Sequence, residues 1–235
     1  MERFSFSHTV IHLTIMDRVL ETEVMDTPEA AIEYDAMDFT EINLAFAQEA
    51  IALYPQEQAI VLDAGTGTGR IPILMAQIRP QWQIIAIDLA ANMLQIAAQN
   101  IQSVGLQQQI HLELIDAKNL PYPDAYFDLV ISNSLVHHLP NPLPFFQEIG
   151  RVLKPHGAVF LRDLFRPQDE ATIDSLVDNI GVDYDQEQRK LFRDSLHAAF
   201  TVDEIQELIH QTQLGELRVY QSSDRHWTAT KTSKY

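Results

Sequence analysis

The sequence contains no cysteine in 235 residues. That absence removes thiol nucleophiles, thiolate zinc sites, iron–sulfur clusters and disulfide frameworks together. A chain of this length buries roughly 70% of its unfolded surface, so it needs no such staples, and a reducing compartment suits it. Positive charge is scarce as well: 16 Lys and Arg stand against 33 Asp and Glu, a formal net charge of −17. Proteins that grip nucleic-acid backbones or anionic membranes present basic faces, so neither is expected as the main partner. No apolar run approaches the ~20 residues that a membrane-crossing helix requires, and no membrane insertion is expected. Met1-Glu2-Arg3-Phe4-Ser5 lacks a basic stretch leading into an apolar one. A secretory leader is therefore not expected, and the expected location is cytoplasmic.

What is present is an alternation of two periods. After about 35 irregular, acidic residues, Ile42, Ala45, Phe46, Glu49, Ala50 and Leu53 recur at helical spacing, with Thr40 as N-cap and Pro55 beyond the end. From residue 59, short apolar runs alternate with amphipathic segments. Strands are expected at 59–63, 83–88, 110–115, 127–131 and 157–164. The intervening helices end near Ile78, at Gly105 and near Leu153. Such alternation argues for a parallel sheet covered on both faces, with all strand C-termini along one edge. Residues 166–200 read as an insertion of two helices, and Thr201-Val202-Asp203-Glu204 as a capping box. Two closing strands are expected at about 216–222 and 226–231. Residues 1–57 then form an N-terminal extension or lid, and 58–235 the core.

Chemistry concentrates at the predicted strand ends. Asp63-Ala64-Gly65-Thr66-Gly67-Thr68-Gly69-Arg70 lies between the first strand and its helix, where glycines let a ligand approach the backbone and an open helix N-terminus. The spacing is G-x-G-x-G. A dinucleotide fingerprint wants glycine where Arg70 stands. Asp63, two residues before the first glycine, is ill suited to a pyrophosphate and well suited to an ammonium group. Asp88 ends the second strand and can accept both hydroxyls of a ribose, which fits NAD and S-adenosylmethionine (SAM) alike. Asp116 and the adjacent Ala117 N–H can read the amino group and ring nitrogen of adenine.

In combination, these segments resemble a known family. Val61 to Gly69 is similar to motif I of the class I SAM-dependent methyltransferases, and Asp88-Leu89-Ala90-Ala91-Asn92-Met93-Leu94 to their second signature. Asp116-Ala117, Leu120-Pro121-Tyr122, Phe127-Asp128-Leu129-Val130 and His137-His138-Leu139 resemble the small-molecule branch that includes the ubiquinone/menaquinone-biosynthesis methyltransferases. Arg151 to Gly157 matches that branch's turn, with His156 in place of a glycine. The resemblance covers roughly 58–165 and implies a Rossmann-like, doubly wound α/β fold. Its sheet would have seven strands, mostly parallel with an antiparallel closing strand, and helical lid segments would be added to it. It implies SAM as cofactor and a small-molecule methyl acceptor. Asp63 and the Gly65–Gly67 backbone, with Thr66 where many relatives carry cysteine, would hold the methionine part. Asp88 would take the ribose, Leu89 would pack near adenine, Asp116 and Ala117 would read its edge, and Asn133 would lie beside the sulfonium.

Methyl transfer from a sulfonium is an in-line displacement with a good leaving group, so orientation dominates. General-base help matters only when the nucleophile carries a proton. His137 and His138, just past the fourth strand, are the candidate catalytic residues. Tyr34, Met37 and Asp38 are candidates for a lid, with Tyr34 donating to the methionine carboxylate and Met37 facing substrate. Arg162 either orients a charged substrate or pairs with Asp163. Phe145, Phe146, Phe165, Phe192 and Phe200 read as core, and Arg225-His226-Trp227 as a turn. No HExxH or comparable spacing occurs, so no metal site is expected. Two readings compete: an NAD(P)-dependent oxidoreductase, opposed by G-x-G-x-G, Asp63 and the lack of a Tyr-x-x-x-Lys pair, and a non-catalytic SAM-binding protein.

Overall fold

A computed structural model describes residues 16–21, 26–180 and 184–234. Seven strands form one sheet: β1 (Ile60–Ala64), β2 (Gln83–Asp88), β3 (Ile110–Leu114), β4 (Phe127–Asn133), β5 (Leu153–Leu164), β6 (Arg218–Gln221) and β7 (His226–Lys231). Their order is β3-β2-β1-β4-β5-β7-β6. β1 to β5 are mutually parallel, and β7 runs antiparallel to both β5 and β6. Strand order therefore reverses beside β1, which has β2 on one side and β4 on the other. In open α/β sheets this reversal opens a crevice at the strand C-termini.

The α-helices among the described residues are α1 (Pro28–Ala36), α2 (Thr40–Ala52), α3 (Arg70–Ile78), α4 (Ala91–Ser103), α5 (Leu143–Val152), α6 (Glu170–Ile180), α7 (Gln186–Ala198) and α8 (Val202–His210). Side-chain alternation along the strands sorts the core into two layers. Leu129 and Ile131 of β4, with Phe160 of β5, pack with Phe46, Met75 and Ile101 from α2, α3 and α4. Val130, Val159 and Leu161 face the other way, onto Phe145, Phe146 and Ile149 of α5 and Ile205 of α8. A third cluster, with Ile173, Leu176 and Leu196 from α6 and α7, forms beside Leu164. The inserted pair of helices thus has its own apolar interior, fastened to the end of β5.

Several local expectations hold. The capping box at Thr201 and Glu204 is formed, and Phe145, Phe146 and Phe200 are buried, with Phe165 and Phe192 packed against the core. Of Arg225-His226-Trp227, read as a turn, His226 opens β7 and Trp227 is buried within it, and the structure differs in four further places. A helix, α1, lies within the stretch read as irregular, capped by the Thr27 hydroxyl accepting from the Ala30 N–H at 3.1 Å. Thr40 is the first residue of α2 rather than its cap, and Asp38 accepts its N–H at 3.1 Å. Asp38 is therefore a helix-start residue. β5 begins at Leu153, because the turn through Pro155 and Gly157 stays paired across a register shift opposite Phe127 and Leu129. Gly157 is required there: an added Cβ would lie 2.9 Å from the Asp128 carbonyl oxygen. The fourth difference is a single 3-10 turn, Val136–His138, which carries the histidine pair.

Candidate active site

The glycine turn is stitched to the neighbouring strand. The N–H groups of Gly65 and Thr66 both donate to the Ile87 carbonyl at 2.9 Å. The Gly67 N–H donates to Asp88 Oδ2 at 2.8 Å, and the Ala90 N–H to Oδ1 at 2.9 Å. Gly65, Gly67 and Gly69 all have positive φ, so the turn needs residues without a Cβ. At Gly67 an added Cβ would lie 3.8 Å from the Tyr34 ring, which places Tyr34 over the middle of the turn.

Asp63 sits at the floor, 2% exposed. The Thr66 hydroxyl donates to its Oδ2 at 2.6 Å. Burial pushes its carboxyl up to about 7 against that hydrogen bond, and the nearby charge of Asp88 adds to the rise. No cation pairs with it among the described residues. A buried carboxyl in this state is poised to ionise against a positively charged ligand.

Asp116 lies just beyond β3. Burial would raise its pKa, but the Lys118 backbone and ammonium, both donating to Oδ1 at 2.9 and 2.8 Å, hold it below the usual carboxylate range. Ala117 beside it is buried, whereas Leu89, after Asp88, is 63% exposed. A large apolar side chain left open beside Asp88 can pack on a planar group. Asn133 ends β4, in register with Arg162.

α1 covers this edge through ionic contacts that sequence spacing does not reveal. Asp35 binds the Arg70 guanidinium at 2.9 and 2.7 Å and accepts from Asn100 Nδ2 at 3.0 Å. Arg70, the residue that spoils a dinucleotide fingerprint, thereby anchors α1. Tyr34 holds its phenolic proton tightly: burial raises its pKa, as do the charges of Asp88 and Asp35. Met37 is half-buried at the C-terminal cap of α1.

Arg162 and Asp163 do not pair. Alternation along β5 sends them to opposite faces. Arg162 binds Glu49 at 2.7 Å, donates to the Thr228 hydroxyl at 3.1 Å and lies 5.0 Å over the Phe160 ring. Asp163 is 1% exposed and meets the 3-10 turn: its Oδ1 is 2.5 Å from His137 Nδ1, and its Oδ2 accepts from the Val136 and His137 N–H groups. Burial would lower the His137 pKa, but Asp163 and Glu21 hold the proton and raise it. His138 Nδ1 lies 2.5 Å from Glu21 Oε2. Glu21, Arg18 and Ser195 are site neighbours that the sequence reading missed. No linear motif links a strap at 16–21 to a turn more than a hundred residues later.

Two surface hollows, one lined by Asp124, Arg151 and Lys154 and one by Gln58, Gln83 and Asp128, lie at the opposite ends of the strands, away from these carboxylates.

A carboxylate on each of three successive strand ends, around a glycine turn at the sheet's reversal point, defines a nucleoside-binding α/β domain. Residues 62–161 match the family described as a methyltransferase domain. The chain is 36% identical over 138 residues to the malonyl-[acyl-carrier protein] O-methyltransferase of Marinomonas sp., covering 57% of this chain and 48% of that one. It is likewise 36% identical over 107 residues to the demethylmenaquinone methyltransferase of Lactobacillus johnsonii, covering 45% and 44%. The chain thus spans about half the length of these curated relatives. The crystal structure of a SAM-dependent methyltransferase from Aquifex aeolicus superposes with a TM-score of 0.63 at 19% identity, over 87% of this chain and 97% of that one, a likeness of fold. No helix among the described residues is long and apolar enough to cross a membrane.

Proposed function

We propose that the whole chain is a SAM-dependent methyltransferase acting on a small molecule, in the cytoplasm. The observation that carries this reading is Asp63: a buried carboxyl with no cationic partner among the described residues, at the base of a glycine turn whose far side is held by Asp88. The donor set fits the cofactor. Asp63 offers a counter-charge for an ammonium group, Asp88 keeps lone pairs for ribose hydroxyls, and the exposed Leu89 offers an apolar face. Asp116 and the Ala117 N–H offer an acceptor and a donor for the base edge. When bound, SAM supplies a methyl group on a sulfonium, an electrophile that needs no metal activation.

The chain's own work is then positional. α1, pinned by the Asp35–Arg70 pair, brings Tyr34 over Gly67 and excludes water from that side. Asn133 and the 3-10 turn lie at the end of β4, where the acceptor would sit. Asp163 occupies His137 Nδ1, so Nε2 is the nitrogen that orients the acceptor and takes its proton where the nucleophile carries one. Met37 and Arg162 stand as flanking substrate residues. Arg162 acts mainly through its grip on Glu49.

An oxidoreductase is not favoured. Arg70 occupies the place of the third glycine, and an ionisable Asp63 would oppose a pyrophosphate. The discriminating experiment incubates the protein with SAM and a panel of small-molecule metabolites and reads release of S-adenosylhomocysteine. Acceptor-dependent release supports the proposal. Cofactor binding without release from any acceptor would favour the non-catalytic reading.

A further inference from the structure

A second convergence of side chains lies beside the carboxylate edge. Glu21, His137 and His138 each present one potential ligand atom, all within 4.8 Å of one another. We propose that these three residues bind one divalent transition-metal ion of the zinc class, with a fourth position open to solvent or to the acceptor. Two imidazoles and a carboxylate form a ligand set that such ions take readily, and three protein ligands with one open position is the pattern of reactive rather than structural sites.

The surroundings orient each ligand as a built site requires. Asp163 engages His137 Nδ1 at 2.5 Å, leaving Nε2 toward Glu21, an arrangement that fixes a metal-binding tautomer. The Ser195 hydroxyl donates to Glu21 Oε1 at 2.5 Å and sets the carboxylate's rotation. The strap carrying Glu21 is itself clamped. The Arg18 guanidinium donates to the carbonyls of His137, Leu139 and Ala198 at 2.6–2.9 Å and to that of Pro140 at 3.2 Å, and it lies 3.8 Å over the Phe200 ring.

The distances suit an ion. Glu21 Oε1 is 3.9 Å from His137 Nε2, and Glu21 Oε2 is 2.5 Å from His138 Nδ1. Ligands on a tetrahedral ion with bonds of about 2.0–2.1 Å stand about 3.3 Å apart, so the ion takes the place of the proton shared by Glu21 Oε2 and His138 Nδ1, and those two atoms separate to admit it. His137 is 4% exposed and Glu21 12%, whereas His138 is 37% exposed, so an ion enters past His138. The ion would join the N-terminal strap to the 3-10 turn. The site does not depend on the methyl-transfer reading. If that reading holds, metal loading occupies His137 Nε2 and slows turnover while leaving cofactor affinity unchanged.

The test titrates chelator-treated, tag-free protein with Zn²⁺ by calorimetry and with Co²⁺ by visible absorption. Saturation at one ion per chain is expected, with a Co²⁺ band of tetrahedral intensity and a higher unfolding temperature for the loaded protein. His138→Ala and Glu21→Gln should each weaken binding at least tenfold. His111→Ala, an exposed histidine on β3, should leave it unchanged. Equal binding in wild type and both site variants, loss of binding in His111→Ala as well, or a Co²⁺ spectrum no different from the aqueous ion would overturn the proposal. Separate calorimetry of S-adenosylhomocysteine on the metal-free protein keeps a failure here distinct from a failure of the cofactor reading.

Discussion

Replacing Asp63 by asparagine separates a functional carboxylate from a structural one. The group is 2% exposed and its folded-state pKa is about 7, against an ordinary value of 3.8. A gap of about 3 units at about 1.4 kcal/mol each makes ionisation in the folded chain about 4 kcal/mol costlier than in the unfolded chain. The folded state therefore holds this proton more tightly than the unfolded one. Its stability is undiminished below pH 3.8, falls as pH rises from there to about 7, and is flat beyond. Asparagine keeps an acceptor for the Thr66 hydroxyl and cannot ionise. At pH 8 the variant should be more stable than wild type by up to about 4 kcal/mol. At about 2–4 °C per kcal/mol for a chain of this size, that is a rise of up to about 8–16 °C in unfolding temperature, shrinking at pH 5. Affinity for SAM should fall at least tenfold, because the counter-charge for its ammonium group is gone. The two assays are thermal unfolding at pH 5 and pH 8 and calorimetric titration with SAM. An unchanged or lower unfolding temperature at pH 8, together with retained affinity, would refute the assignment of Asp63 as a ligand-directed carboxylate.

His137→Ala should lower kcat by one to several orders of magnitude while changing SAM affinity little, read from steady-state kinetics beside calorimetry. Full turnover would make the histidine structural. Gly157→Ala should destabilise by about 1–3 kcal/mol in urea unfolding, because the new methyl meets Leu153 at 2.8 Å and backbone oxygens of Asp128 and Lys154 at 2.9 and 3.1 Å. Unchanged stability would mean that the β5 turn relaxes freely.

The sheet was legible because each strand is a short apolar run ended by a helix start. Ile60–Ala64 and Gln83–Asp88 lie within one residue of the sequence expectation. The gathering of Asp63, the glycine turn and Asp88 at one edge of the sheet was legible for a related reason. Its residues sit on contiguous turns after strands, where Asp63, Gly65 and Gly67 carry their meaning in local spacing. α1 was hidden because Pro28–Ala36 buries one residue, Ala31, and lacks an apolar stripe for its period to show. The His137 environment was hidden for a different reason: Asp163, Glu21, Ser195 and Arg18 reach it from β5, the strap and α7. The side to which Arg162 and Asp163 each turn depends on strand register, which a list of residue types does not specify. Long-range charge pairing is thus the part that spacing cannot supply.

The central claim is that Asp63, Asp88 and Asp116 surround one adenosine-bearing cation, and calorimetry with SAM, set beside Asp88→Ala, tests it most directly. The account predicts one site per chain for the wild type and at least a tenfold weaker site in the variant. No heat from SAM or its demethylated product, alongside saturable binding of NADH, would contradict it.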